Sequence, residues 1–201
     1  MKRLFVLLIL LIIVWVGISY GIQYGRMSGL NKNLPVASDV PTSEKGDLPQ
    51  EDEADLPQTL HIPKINVAAA IEQVGLDTQG RMDVPEDADN VAWYKLGYKP
   101  GQKGNAVLAG HYDKETGEPA VFWDISKLES GDKIIVVDAH GKEYTFLFKK
   151  MVKYPYDNFP IEEVFGEADK PMLNLITCQG TWDSTRNNYS HRIVVFAELV
   201  E

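Results

Sequence analysis

The sequence predicts a mainly β fold, an eight-stranded barrel with short helices, preceded by one transmembrane helix. Three observations predict it. About eight short apolar, β-branched segments succeed one another in the last roughly 140 residues. Turns rich in Gly, Pro, Asp and Asn separate them. One long uncharged run stands alone at the N-terminus. Many short strands with little helix between them suit a closed or nearly closed barrel, which leaves no sheet edge open. No internal repeat is visible.

The N-terminal run covers residues 4–22 and follows Lys2 and Arg3. As a helix at about 1.5 Å per residue it reaches about 28 Å, against a bilayer core of about 30 Å. Basic residues ahead of it favour the N-terminus inside and the remainder outside. A cleaved signal has a shorter apolar core and ends at small residues. Here Gly17, Ser19 and Gly21 alternate with bulky Ile18, Tyr20 and Ile22. The expected organisation is a cytoplasmic tip 1–3, a signal anchor 4–22, an extracellular linker 23–58 and a folded domain 59–201, on a single-pass protein of the cell membrane. From Arg26 on, the linker has no aromatic residue, carries Pro35, Pro41, Pro49 and Pro57, and contains the acidic run Glu51-Asp52-Glu53-Ala54-Asp55. Such a segment buries too little apolar surface to offset its ordering entropy, and its prolines stiffen it into a spacer.

Within the domain, Leu60-His61-Ile62 and residues 67–74 read as strands. Asp77-Thr78-Gln79-Gly80 is a turn and Met82-Asp83-Val84-Pro85 a short strand. Lys99-Pro100-Gly101 turns the chain into the strand Asn105-Ala106-Val107-Leu108-Ala109-Gly110. Residues 122–128 read as a short helix stopped by Gly131. Strands 134–137 and 144–148 flank His140-Gly141, a hairpin signal. Residues 161–165 form one or two helical turns ended by Gly166, and 172–177 and 193–200 are the last two strands.

Composition excludes several classes. The net charge of -9, with no Lys/Arg stripe, argues against nucleic-acid binding. The chain has one cysteine, so a disulfide framework is excluded and a Cys-rich zinc site is disfavoured. Glu162, Glu163 and Asp169 are too scattered to make a calcium site.

That one cysteine, Cys178, closes the run Leu173-Asn174-Leu175-Ile176-Thr177. A lone thiol in an exported chain is a packing residue, an intermolecular link or a reactive group. His111 follows the strand ending at Gly110, and Arg192 opens Ile193-Val194-Val195-Phe196-Ala197. Thiol, imidazole and guanidinium together make a nucleophile, an acid/base and an oxyanion stabiliser. Spacing alone does not bring them together, and singly each has an ordinary structural role. Among the other histidines, His140 sits in a hairpin turn, His61 at the domain's entry and His191 beside Arg192. Arg186 competes with Arg192, but it lies in the loop-like Ser184-Thr185-Arg186-Asn187-Asn188, whereas a strand fixes the direction of Arg192.

Taken together, these residues resemble the sortases, cysteine transpeptidases of Gram-positive cell surfaces. Leu175-Ile176-Thr177-Cys178 matches the family's TLxTC signature, with Asn174 in place of the first Thr. Ala109-Gly110-His111 is similar to its strand-end histidine and Arg192-Ile193-Val194-Val195-Phe196-Ala197 to its arginine strand. Ile62-Pro63-Lys64-Ile65 looks like the start of its catalytic domain, and Phe122, Leu128, Gly131 and Asp132 fall in its F…L…GD stretch. Val91-Ala92-Trp93-Tyr94 and Thr177-Cys178-Gln179-Gly180 look more like classes D to F than class A.

The resemblance implies a sortase-like barrel and a reaction. Cys178 attacks the Thr carbonyl of an LPxTG-like sorting signal, His111 moves protons, and Arg192 binds the oxyanion. A peptidoglycan or lipid-linked amine resolves the thioacyl enzyme. The implied partners are secreted proteins with C-terminal sorting signals, that amine acceptor and the membrane, with no metal or other cofactor. Substrate contacts are expected from Thr177 and, in the segment 154–170, from Tyr156, Phe159 and Ile161. A cysteine hydrolase on the same scaffold and a non-catalytic surface module stay open. Leu56-Pro57-Gln58-Thr59-Leu60 itself reads like a sorting signal with Leu60 in place of Gly, which raises self-recognition against a linker running into the first strand.

Overall fold

The computed structural model describes residues 55–200. The anchor 4–22 and the linker as far as Ala54 lie outside the described residues. Among the described residues no helix is long and apolar enough to cross a membrane.

Eight strands close into one barrel. They are β1 (Pro57–Ile62), β2 (Val67–Val74), β3 (Val91–Tyr94), β4 (Gly104–Gly110), β5 (Lys133–Asp138), β6 (Glu143–Pro155), β7 (Pro171–Asp183) and β8 (Asn188–Leu199). Their order around the barrel is β1-β2-β3-β4-β7-β8-β6-β5, closed by β1 against β5. β2–β3 and β4–β7 are parallel and the other pairs antiparallel. The one helix with α geometry among the described residues is α1 (Ile161–Phe165).

The interior is filled by Leu60, Ile62, Trp93, Leu108, Phe122, Ile134, Phe146, Leu173, Leu175 and Val195, among others. Each such side chain contributes roughly 1.5–3 kcal/mol on burial. Trp93 is accommodated there because its Nε1–H donates to Tyr98 O at 3.0 Å. A second, smaller cluster lies on the outer face of β4, β7 and β8. It consists of Val107, Val164, Ile176, Val194 and Phe196. The successive apolar runs in β7 and β8 therefore serve two cores, one per face, and Val164 of α1 covers the outer one.

Several expected elements differ. The segment 82–85 holds only a bridge from Met82 to Leu76. The missing strand is β3, whose Val91, Ala92 and Trp93 are all buried, so no period-two alternation marks it. The expected helix 122–128 reduces to a 3₁₀ turn, Ile125–Lys127. Phe122, Ile125 and Leu128 are all buried, and this i, i+3 spacing eclipses at three residues per turn. β1 starts at Pro57, two residues before the expected boundary, and Pro57 is buried. The Leu-Pro-x-Thr quartet is thus built into the barrel: Thr59 pairs with both Ala70 and Val137. Leu56 O accepts the Ala139 N–H at 3.1 Å. Self-recognition by that segment would require unzipping β1, which removes its basis.

Candidate active site

Strand register brings the three chemical groups together. In the parallel β4–β7 pair the last partners are Ala109 and Ile176, so His111 and Cys178 each stand two residues further along neighbouring chains. In the antiparallel β7–β8 pair Cys178 lies directly opposite Arg192. Face follows from alternation. Ile176 and Val194 belong to the outer cluster, and Ala109 packs on it. Cys178, Arg192 and His111 stand two residues from these, so all three share that outer face.

His111 is aimed by what surrounds it. Gly110 allows β4 to end against Phe122: a Cβ there would stand 2.6 Å from the Phe122 ring. His111 O accepts the Phe122 N–H at 3.0 Å. The ring Nε2 lies 3.2 Å from Pro85 O, and a carbonyl only accepts, so Nε2 carries the proton and Nδ1 is left as acceptor. The Pro85 loop is pinned in turn by Glu72. Its carboxylate accepts Glu86 N–H at 2.7 Å and Asn90 Nδ2 at 2.9 Å. Burial pushes the Glu72 carboxyl up, but these bonds, that from Asp87 and the field of His111 bring it net below its ordinary value.

Arg192 is docked rather than loose. Nη2 donates to Asn188 Oδ1 at 2.7 Å and Nη1 to His191 O at 3.0 Å. The guanidinium carbon lies 4.8 Å from the centre of the Tyr156 ring. These contacts leave Nε–H and an Nη2–H for an incoming oxygen. The half-buried Cys178 thiol is pushed up by burial, pulled back by the Arg192 charge and pushed up again by Asp113. Arg186 stands instead by the β7–β8 turn, exposed, 3.6 Å from Asp183 and 4.0 Å from Asp157. His140 is exposed beyond β5, and His61 lies in β1 beside Thr59 Oγ1 at 3.3 Å. His191 takes Ser190 Oγ at 2.8 Å.

The expected substrate contacts separate. Tyr156 lies under the guanidinium, and Phe159 packs on the outer cluster with its ring edge to Tyr154 at 5.8 Å. Ile161 is exposed at the start of α1. Thr177 is 2% exposed, and its Oγ1 has no hydrogen-bond partner among the described residues. It alternates with Cys178 and faces the interior with Leu175, so a side-chain contact from Thr177 to a substrate is not available.

Asn174 and Asn105 form a clamp that the sequence reading missed. Both side chains are buried beneath α1. Asn174 Nδ2 donates to Val164 O at 2.8 Å and to Asn105 Oδ1 at 3.1 Å. Asn105 Nδ2 donates to Gly166 O at 2.9 Å. Gly166 N–H closes α1 on Glu162 O at 3.0 Å, and a Cβ on Gly166 would stand 2.4 Å from that oxygen. The two amides thus satisfy carbonyls at the end of α1 and hold the 156–165 segment beside the site. Asn174→Ala is expected to lower unfolding free energy by about 1–3 kcal/mol, the cost of leaving buried acceptors unpaired. Urea denaturation checks this, and an unchanged midpoint and slope would show the clamp to be dispensable. Asp113, Tyr189 and Asn188 were also missed: they are ordinary polar residues tied to Arg192 or to each other by contacts that no local pattern records.

Comparison with known proteins agrees with this geometry. A family model described as the sortase domain matches residues 60–200. "Sortase D" of Bacillus subtilis (strain 168) is 30% identical over 119 residues, 59% of this chain and 52% of that protein, so the match spans about half of the relative's length. Among solved structures, the Clostridium perfringens sortase D5 transpeptidase is similar with a TM-score of 0.54 and 21% identity, over 72% of this chain and 79% of that one. Sortase C-1 from Actinomyces oris is similar with a TM-score of 0.55 and 20% identity, over 71% and 73%. The structural likenesses establish the barrel, and the family match establishes descent: this chain is a member of the sortase family, whose members are in general cysteine transpeptidases.

Proposed function

We propose that the chain is a membrane-anchored cysteine transpeptidase, more like classes D to F than class A, that cleaves an LPxTG-like signal between Thr and Gly. The observation that carries this reading is the placement of Cys178 opposite Arg192, with His111 just past the end of the adjoining strand β4, all on one face beside an aromatic-lined segment. In the first half-reaction the Cys178 thiol proton passes to His111 Nδ1 as a bond forms between Sγ and the Thr carbonyl carbon. The oxyanion is met by Arg192, the C–N bond to Gly breaks, and His111 as imidazolium gives its proton to the leaving amine. In the second, an amine attacks the thioacyl carbonyl, the C–S bond breaks, and the thiolate leaves. Of the two protons an ammonium sheds, one returns to His111 and one goes to water. Tyr156 and Phe159 supply the apolar surface for the Leu-Pro side. The anchor 4–22 would hold the enzyme outside the cell where secreted substrates emerge, raising their effective concentration.

The test is incubation of the full chain, in detergent, with a small library of sorting-signal peptides and an amine. Mass spectrometry is expected to find a thioacyl adduct on Cys178 and an amide product. Hydrolysed peptide alone, at every amine concentration, would favour the hydrolase instead; no adduct with any peptide would reject the enzyme.

A further inference from the structure

One group beside the nucleophile has no role in the steps above. Asp113 lies two residues beyond His111, and its carboxylate accepts the hydroxyl of Tyr189. Tyr189 is itself three residues before Arg192, and its carbonyl takes an Nη1–H from that side chain at 3.4 Å. No lysine or arginine among the described residues forms an ion pair with Asp113; its neighbour Lys114 turns to Asp89 at 2.7 Å instead. A carboxylate in this position works against a thiolate, since its field pushes the Cys178 thiol up.

A chain of aromatic rings runs out from Tyr189, the partner of this carboxylate. Tyr112 stacks on Trp123 with centroids 4.6 Å apart, Tyr189 meets Tyr112 edge-on at 6.1 Å, and Trp182 meets Tyr189 at 5.2 Å. The outer members are open to solvent, Trp123 at 38% and Trp182 at 50%. One carboxylate without a cation, bonded to the first of a series of aromatic rings, is the chemistry that recognises an ammonium. The barrel order β4-β7-β8-β6 separates it from the peptide side: Tyr156 follows β6 and lies on Arg192, whereas Asp113 leaves from β4.

We propose that the amine acceptor of the second half-reaction binds as an ammonium on the β4 side of Cys178, held by Asp113 between Tyr112, Trp123 and Trp182. This rests on the transpeptidase reading. The Leu-Pro-x-Thr-Gly motif brings no cation to Asp113, whereas a primary amine arrives charged at neutral pH. Asp113 recognises that charge and takes no proton. Tyr189, by donating to one carboxylate oxygen, orients the other toward the incoming nitrogen.

The experiment uses the full chain, a sorting peptide and two nucleophiles. Triglycine carries a mostly protonated amine at pH 7, and hydroxylamine is uncharged there. The readout is the ratio of triglycine product to hydroxylamine product from one enzyme sample. Being a ratio, it does not depend on the folded fraction. Asp113→Asn is expected to lower it by about tenfold or more, the scale of one charge-assisted hydrogen bond. A ratio unchanged within about twofold, where the wild type uses both nucleophiles, would overturn this inference alone and leave Asp113 as a tie for the β7–β8 hairpin. A wild type that forms no thioacyl adduct would overturn the transpeptidase reading and this inference with it. Should Asp113→Asn give no product with either nucleophile, the wild type decides. Tetramethylammonium, at ionic strength matched with sodium chloride, is expected to compete with triglycine and spare hydroxylamine transfer. Equal effects on both would overturn the proposal.

Discussion

Cys178→Ala is expected to reduce peptide cleavage to background while leaving the barrel folded. The loss is complete because no other thiol exists in the chain to form the thioacyl bond. The fold survives because the site is half-buried on the outer face, and Ala removes one sulfur without stranding a polar group. Cleavage of a sorting peptide, followed by mass spectrometry, and thermal unfolding of the same sample check both halves. Cleavage near the wild-type rate would remove Cys178 from the mechanism. A methanethiosulfonate reagent gives a second view of the same residue. A catalytic thiol labels in the folded protein, and a merely packed one does not. Burial and Asp113 push the thiol above its ordinary range, with Arg192 opposing, so the labelling rate is expected to keep rising as pH passes neutrality.

The barrel and the placement of Cys178, His111 and Arg192 together were legible in the sequence because each sits in or beside a strand with a strong apolar signal. Residues 105–110, 172–177 and 193–199 are all strand in the structure, with Val200 just beyond β8, and their ends place His111, Cys178 and Arg192 at one level. The lengths were not legible. β7 runs on to Asp183 and β8 starts at Asn188, where the residues are polar and only cross-strand bonding maintains the ladder. β3 was hidden by burial on both faces. The inward turn of Thr177 follows from the period-two rule once Cys178 is placed outward, yet two adjacent apolar cores erase the alternation that would have revealed it. Asn174 looked like a neutral replacement in a signature. Its function is set by α1, which lies over it: its Nδ2 donates to Val164 O and, across 69 residues, to Asn105 Oδ1. Asp113 and Tyr189 are likewise joined across 76 residues, a distance over which no motif operates.

Arg192→Ala and His111→Ala are each expected to lower kcat/KM by about 100-fold or more, the scale of losing an oxyanion donor or a general acid/base. For Arg192 two effects act in the same direction. The oxyanion loses its donor, and the thiol loses the charge that opposes burial, so the variant's labelling rate should also fall at a given pH. Arg192→Lys should rescue little. The guanidinium anchors itself on Asn188 Oδ1 and His191 O and still has Nε–H and one Nη2–H outside these contacts. An ammonium on a flexible stem cannot hold both sets of contacts. For His111 the loss should fall mainly on kcat, because the imidazole acts on protons in flight rather than on peptide binding. Arg186→Ala is the control. Its side chain is exposed and its carboxylate contacts at 3.6 and 4.0 Å are surface pairs of small worth, so activity should stay within about twofold of wild type. If Arg186→Ala were instead the crippling change and Arg192→Ala mild, the guanidinium opposite Cys178 would be a structural tie, and the oxyanion donor would have to come from the β7–β8 turn.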